Sequence, residues 1–137
     1  MTRTPEATVT PEATRTSEAT ITRGAVRWSD VCSYATLTPE RGVCAMLDGT
    51  QVAIFRTFDG ALYALSNLDP FSGAHVLSRG ILGTRNGAPT VASPMYKQVF
   101  DLRTGACLDD PRVALPAFPV RRAGDRVEVA LTDEHRQ

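Results

Sequence analysis

The sequence is poor in most of what a metal centre, a membrane span or a nucleic-acid surface is built from. It has two histidines, His75 and His135, and three cysteines, Cys32, Cys44 and Cys107, with no C-x-x-C or C-x-H arrangement among them. An odd, widely spaced set frames neither a disulfide scaffold nor a metal site. The expectation is three reduced thiols, at least partly buried, packed as small hydrophobes. Neither sign of charge is in excess, since fifteen Lys and Arg balance fifteen Asp and Glu. A nucleic-acid binder or a polybasic membrane anchor needs a positive surplus, so neither class fits. Apolar runs fall far short of the ~20 residues that cross a bilayer. The segment after Met1 has no apolar stretch of the kind that forms the core of a secretory signal. These absences point to a cytoplasmic protein. There is no P-loop, dinucleotide fingerprint or nucleophile–base arrangement, so no catalytic residue and no metal ligand is expected.

What is present is enough apolar material for one domain: 42% of the 137 residues are hydrophobic and 22% are charged. Residues 1–23 are different in kind. A six-residue period runs from Thr4-Pro5-Glu6-Ala7-Thr8 through Thr10–Thr14 to Thr16–Thr20, with no aromatic and no leucine. Such a segment has little to bury against the entropy of ordering, and a disordered low-complexity extension is expected. The domain is expected over 24–131, with 132–137 a polar C-terminal tail.

Within the domain the pattern is that of strands. Gly42–Leu47 and Gln51–Thr57 flank Asp48-Gly49, a dipeptide suited to tight hairpins. Phe58-Asp59-Gly60 then leads into Ala61–Ser66. Further runs are Pro89–Ala92, Lys97–Leu102, Ala106–Leu108, Ala114–Arg121 and Arg126–Leu131, with turns at Arg103-Thr104-Gly105 and Ala123-Gly124-Asp125. In the last run Val127, Val129 and Leu131 alternate with Arg126 and Glu128, the period of a half-buried strand. No segment holds a 3.6-residue apolar period over three turns. Short strands at this spacing predict an all-β antiparallel sandwich or barrel. Asn67–Ala88 reads as a long irregular loop. It is too apolar for disorder, with Phe71, Val76, Leu77, Ile81 and Leu82, and is expected to pack on the sheet with one short helical turn.

Ser93-Pro94-Met95-Tyr96-Lys97-Gln98-Val99-Phe100-Asp101-Leu102-Arg103-Thr104-Gly105 resembles the second half of a Rieske iron–sulfur module, where a C-P-x-H box precedes F-D-x-x-T-G. Ala61–Asp69 stands where that family runs a strand into C-x-H. The resemblance places Asn67 and Asp69 at the first Cys and His positions, and Ser93 and Tyr96 at the second pair. Amide, carboxylate, hydroxyl and phenol do not replace the two thiolates and two imidazoles of such a centre. The stretches Ser66–Phe71, Val76–Gly80, Val91–Pro94, Lys97-Gln98 and Gly105–Asp110 are more specifically similar to the small subunits of assimilatory NAD(P)H-dependent nitrite reductases, over roughly Val26 to Leu131.

That resemblance implies a Rieske-like fold without its cluster, acting as a non-catalytic small subunit in nitrate assimilation. The partner it implies is a large subunit that carries FAD, an iron–sulfur cluster and sirohaem and reduces nitrite to ammonium. It also implies an exposed tip from Asn67–Gly80 and Ser93–Gln98, with Pro70, Phe71, Arg79, Pro94, Met95, Tyr96 and Lys97 as interface residues. Lys97, the chain's one lysine beside fourteen arginines, is expected to be a solvated surface group. Asp109-Asp110 is expected to start a turn. The alternatives are a stand-alone Rieske-like binding or regulatory module and a [2Fe-2S] electron carrier. The missing ligands count against the carrier.

Overall fold

The structure is a computed structural model that describes residues 27–131. The repeat segment 1–23 and the tail 132–137 lie outside the described residues. Ten strands form three antiparallel sheets among them. A three-stranded sheet has the order β9-β10-β1, with β1 Arg27–Ser33, β9 Val120–Ala123 and β10 Arg126–Leu131. The central sheet has the order β2-β3-β4-β8, from Arg41–Leu47, Thr50–Arg56, Leu62–Ser66 and Ala117–Phe118. The third has the order β5-β6-β7, from Ile81–Arg85, Ala88–Ala92 and Val99–Asp101. Single 3-10 turns lie at Tyr34–Thr36 and Leu77–Arg79. Among the described residues no helix is long and apolar enough to cross a membrane.

The central sheet is covered on both faces, and this fixes where the two loops sit. Alternate residues of a strand point to opposite faces. Val52 and Ile54 of β3 enter one core with Val127, Val129, Leu131 and Phe118. Ala53 and Phe55 enter a second core with Leu65, Leu77, Val91 and Phe100. A strand buried on both sides reads as a continuous apolar run, which is the character of Val52–Phe55. Gly42 lets the second layer lie close. A Cβ there would fall 2.6 Å from the Ser78 carbonyl oxygen and 2.7 Å from the Phe55 ring.

The predicted hairpin at Asp48-Gly49 is present, with φ of 49° and 80° at its two central residues, and Met46 pairs with Gln51 across it. The expected alternation of β10 is observed from Arg126 to Val129, with a bulge between Val127 and Glu128, and ends at Ala130, which is buried like its neighbours. Three expectations are corrected. Asn67–Ala88 is not irregular throughout: Ile81–Arg85 forms β5, which turns at Asn86-Gly87 and pairs with β6. Ala114–Arg121 is not one strand. Pro116 and Pro119 donate no ladder hydrogen bond and divide it into an isolated bridge at Ala114 and two short strands. Cys44 is exposed, whereas Cys32 is half-buried and Cys107 buried; all three are free thiols.

Candidate functional site

The site is built from two loops at one end of the molecule. The first leaves β4 at Ser66 and runs over 67–80. The second leaves β6 at Ala92 and spans 93–98 before β7. Asn67 fastens the base of the first loop. Its backbone N–H donates to the Gln51 carbonyl at 2.9 Å, and its carbonyl accepts the Leu77 N–H at 3.1 Å. Its side-chain Oδ1 accepts the Ser78 N–H at 2.7 Å. Its Nδ2 donates to Gln51 Oε1 at 3.0 Å and lies 3.5 Å from Cys44 Sγ. One buried amide therefore ties β2, β3 and the Leu77–Arg79 turn together.

Asp69 and Ser93 join the two loops. The Ser93 hydroxyl donates to Asp69 Oδ2 at 2.5 Å, across 24 positions of sequence. The other carboxyl oxygen of Asp69 accepts the Phe71 N–H at 2.8 Å. Ser93 Oγ also accepts the Met95 N–H at 3.2 Å. The backbone of Ser93 closes its own loop, donating to Gln98 O at 2.9 Å and accepting from Lys97 N at 3.0 Å. Lys97 adopts φ of 65° to complete the turn.

Relative exposures of 2%, 0% and 1% place Asn67, Asp69 and Ser93 inside the protein, with Tyr96 outside at 60%. The structure thus brings three of the four predicted positions into the interior, bonds two of them directly and leaves the fourth in solvent. The exposed tip carries Pro70, Arg79, Pro94, Lys97 and Met95. Met95 is 49% exposed. Phe71 is half-buried, its ring centroid 6.2 Å from that of Phe100, so it also packs against the second core. His75 is exposed and its backbone bridges to Leu68. Asp109 and Asp110 behave as turn residues. Asp109 accepts the Val99 N–H at 2.8 Å and Asp110 accepts the Arg112 N–H at 3.0 Å.

The profile of the Rieske-like [2Fe-2S] domain family matches residues 27–130. The nitrite reductase (NADH) small subunit of Escherichia coli is 42% identical over 96 residues, 69% of this chain and 89% of that protein. The chain belongs to the nitrite reductase small-subunit family. A solved structure of an NADH-dependent nitrite reductase small subunit from Mycobacterium tuberculosis superposes with a TM-score of 0.76 at 50% identity, covering 78% of this chain and 96% of that one. A segment of the NAD(P)H nitrite reductase large subunit of Klebsiella oxytoca is 42% identical over 102 residues, 74% of this chain but 11% of that longer one.

The wider family's name raises the question of a cluster, and the residues here do not fit one. A Rieske centre takes two thiolates and two imidazoles. At the corresponding positions this small subunit has an amide, a carboxyl, a hydroxyl and a phenol. Two of them, moreover, are hydrogen-bonded directly to each other. One thiol, Cys44, lies beside Asn67, which supplies one ligand against four. Among the described residues no three His, Cys, Asp or Glu side chains are grouped to hold a metal ion. The Asp69–Ser93 bond and the contact of Cys44 with Asn67 had no local sequence signal, because both join residues more than twenty positions apart.

Proposed function

We propose that the chain is the non-catalytic small subunit of an NAD(P)H-dependent nitrite reductase in nitrate assimilation. On this reading it holds no cluster and docks on the large subunit through the tip formed by 67–80 and 93–98. The FAD, iron–sulfur cluster and sirohaem that carry electrons to nitrite would belong to the large subunit. The assembly would work in the cytoplasm, in keeping with three unpaired cysteines.

The observation that carries the reading is the hydrogen bond between buried Asp69 and Ser93, two positions that the resemblance sets against cluster ligands. It keeps the two loops together by a bond that the chain makes for itself. On this reading the tip offers only side chains to a partner. Exposed Met95 and Tyr96 are residue types enriched at protein interfaces. The Klebsiella relative supports the choice of partner, because there a segment like this chain lies within a chain that bears the large subunit's name.

The test is anaerobic purification with assay of iron and acid-labile sulfide, followed by co-purification with the cognate large subunit. The expected result is a colourless chain that is retained by the large subunit. Stoichiometric iron and sulfide with visible absorption would overturn the cluster-less reading. Failure to associate would overturn the subunit reading.

A further inference from the structure

Among the described residues most of the cations already have a partner. Arg27, Arg85, Arg103, Arg112, Arg121 and Arg126 each form an ion pair with a carboxylate, at 2.6–3.2 Å. Arg56 and Arg122 lie over the Tyr34 ring at 4.3 and 3.7 Å. Among the described residues only Arg41, Arg79 and Lys97 have neither a carboxylate nor a ring as partner, and all three are exposed. Arg79 and Lys97 lie in the two tip loops. Arg41 lies elsewhere: it pairs with Arg56 at the other end of the central sheet, and it neighbours Gly42, whose missing side chain faces Ser78, so it points to the opposite face. The one carboxylate at the heart of the tip, that of Asp69, is buried and turned inward to Ser93 and Phe71. Among the described residues, two of the three cations with neither kind of partner, Arg79 and Lys97, therefore stand on the two loops of one apolar tip.

We infer that the tip is matched to an acidic-rimmed apolar recess on the large subunit, with Arg79 and Lys97 steering and Met95 and Tyr96 seating. This inference rests on the docking proposed above and adds the chemistry of the surface that receives it. Rim charges act mainly on encounter rate and register, and they are screened within about 8 Å at physiological salt. A polybasic membrane or nucleic-acid contact would need many more cations than these two.

The experiment is a titration of the full chain against the cognate large subunit at low and high salt, for the unaltered protein and for Arg79→Glu, Lys97→Glu and Arg112→Glu. Arg112 is exposed, outside the two tip loops and already paired with Asp110, so it serves as a control. The expected result is affinity that falls with salt, falls roughly tenfold with each tip reversal at low salt, and changes little for Arg112→Glu. Thermal melting of the two tip variants should match the parent, since neither side chain has a partner to lose. Tight binding that ignores both salt and the tip reversals overturns this inference and leaves the docking itself standing. Absence of binding at every salt concentration overturns the docking and the inference together.

Discussion

Replacing Ser93 by Ala removes one hydroxyl from the interior and leaves Asp69 Oδ2 without its donor. Neither side chain can turn to water, because Asp69 and Ser93 are both buried. A buried polar group left unsatisfied costs on the order of 1–3 kcal/mol, more than the net worth of an ordinary hydrogen bond. The expected loss is about 2 kcal/mol, or roughly 8 °C in Tm for a domain of about a hundred residues. Urea denaturation followed by circular dichroism measures it. Ser72→Ala is the control. That hydroxyl accepts the Ala74 N–H at 3.2 Å within a local turn, and its loss should stay within about 0.5 kcal/mol. Asp69→Ala should cost more, since the Phe71 N–H and the Ser93 hydroxyl are both abandoned. The double variant should then recover about 1–2 kcal/mol of the summed loss, the coupling expected of groups in contact. A Ser93→Ala loss below about 0.5 kcal/mol, or a cycle with no coupling, would refute the view that this bond closes the tip.

The carboxylates give a pH dependence of definite sign. Arg103 holds the Asp101 carboxyl below the usual carboxylate range, and Arg112, Ser33 and the Val99 N–H do the same for Asp110, Asp125 and Asp109. Groups with a lowered folded pKa contribute stability that is complete above their unfolded value near 3.9 and is lost as pH falls through the folded value. Urea midpoints should therefore be level above about pH 5 and decline below about pH 4, less steeply in Asp101→Asn; midpoints that rise on acidification would contradict this. Gly105→Ala should lose more than about 3 kcal/mol, because a Cβ there meets the Leu115 carbonyl oxygen at 2.0 Å with φ at +82°. Gly49→Ala, at a similar φ with nothing within 4 Å, should lose only roughly 1 kcal/mol, and equal losses would show that the close approach is unimportant. Desolvation pushes the Cys44 thiol up, so its alkylation at pH 7 should be slow despite its exposure; labelling as fast as that of a small thiol in solution would argue against that desolvation.

The sequence exposed the parts of the fold that rest on local chemistry. Asp48-Gly49 marks a hairpin because both residues tolerate positive φ, and β10 alternates because one of its faces is wet. The Asn86-Gly87 turn carried the same signal, with φ of 54° and 83°. It went unread because β5 holds a glycine, and its exposed Ile81 and half-buried Leu82 look like loop packing. The division of Ala114–Arg121 at Pro116 and Pro119 was legible in principle, since proline cannot serve an internal ladder. The site was half legible. Family motifs single out Asn67, Asp69, Ser93 and Tyr96, but they treat the four positions alike, and burial separates them. Three of them became interior hydrogen-bonding groups, and Tyr96 became surface. The pairing state of Arg79, Lys97 and Arg41 depends on carboxylates distant in sequence, and only the folded arrangement reveals it.

The most direct test of the central claim is to titrate the isotope-labelled chain with the cognate large subunit and follow its backbone amide resonances. The account predicts that the largest changes fall on Arg79, Met95, Tyr96 and Lys97, while Arg121 and Glu128 on the β9-β10-β1 sheet stay unchanged. Perturbations confined to that sheet, with the tip silent, would contradict it.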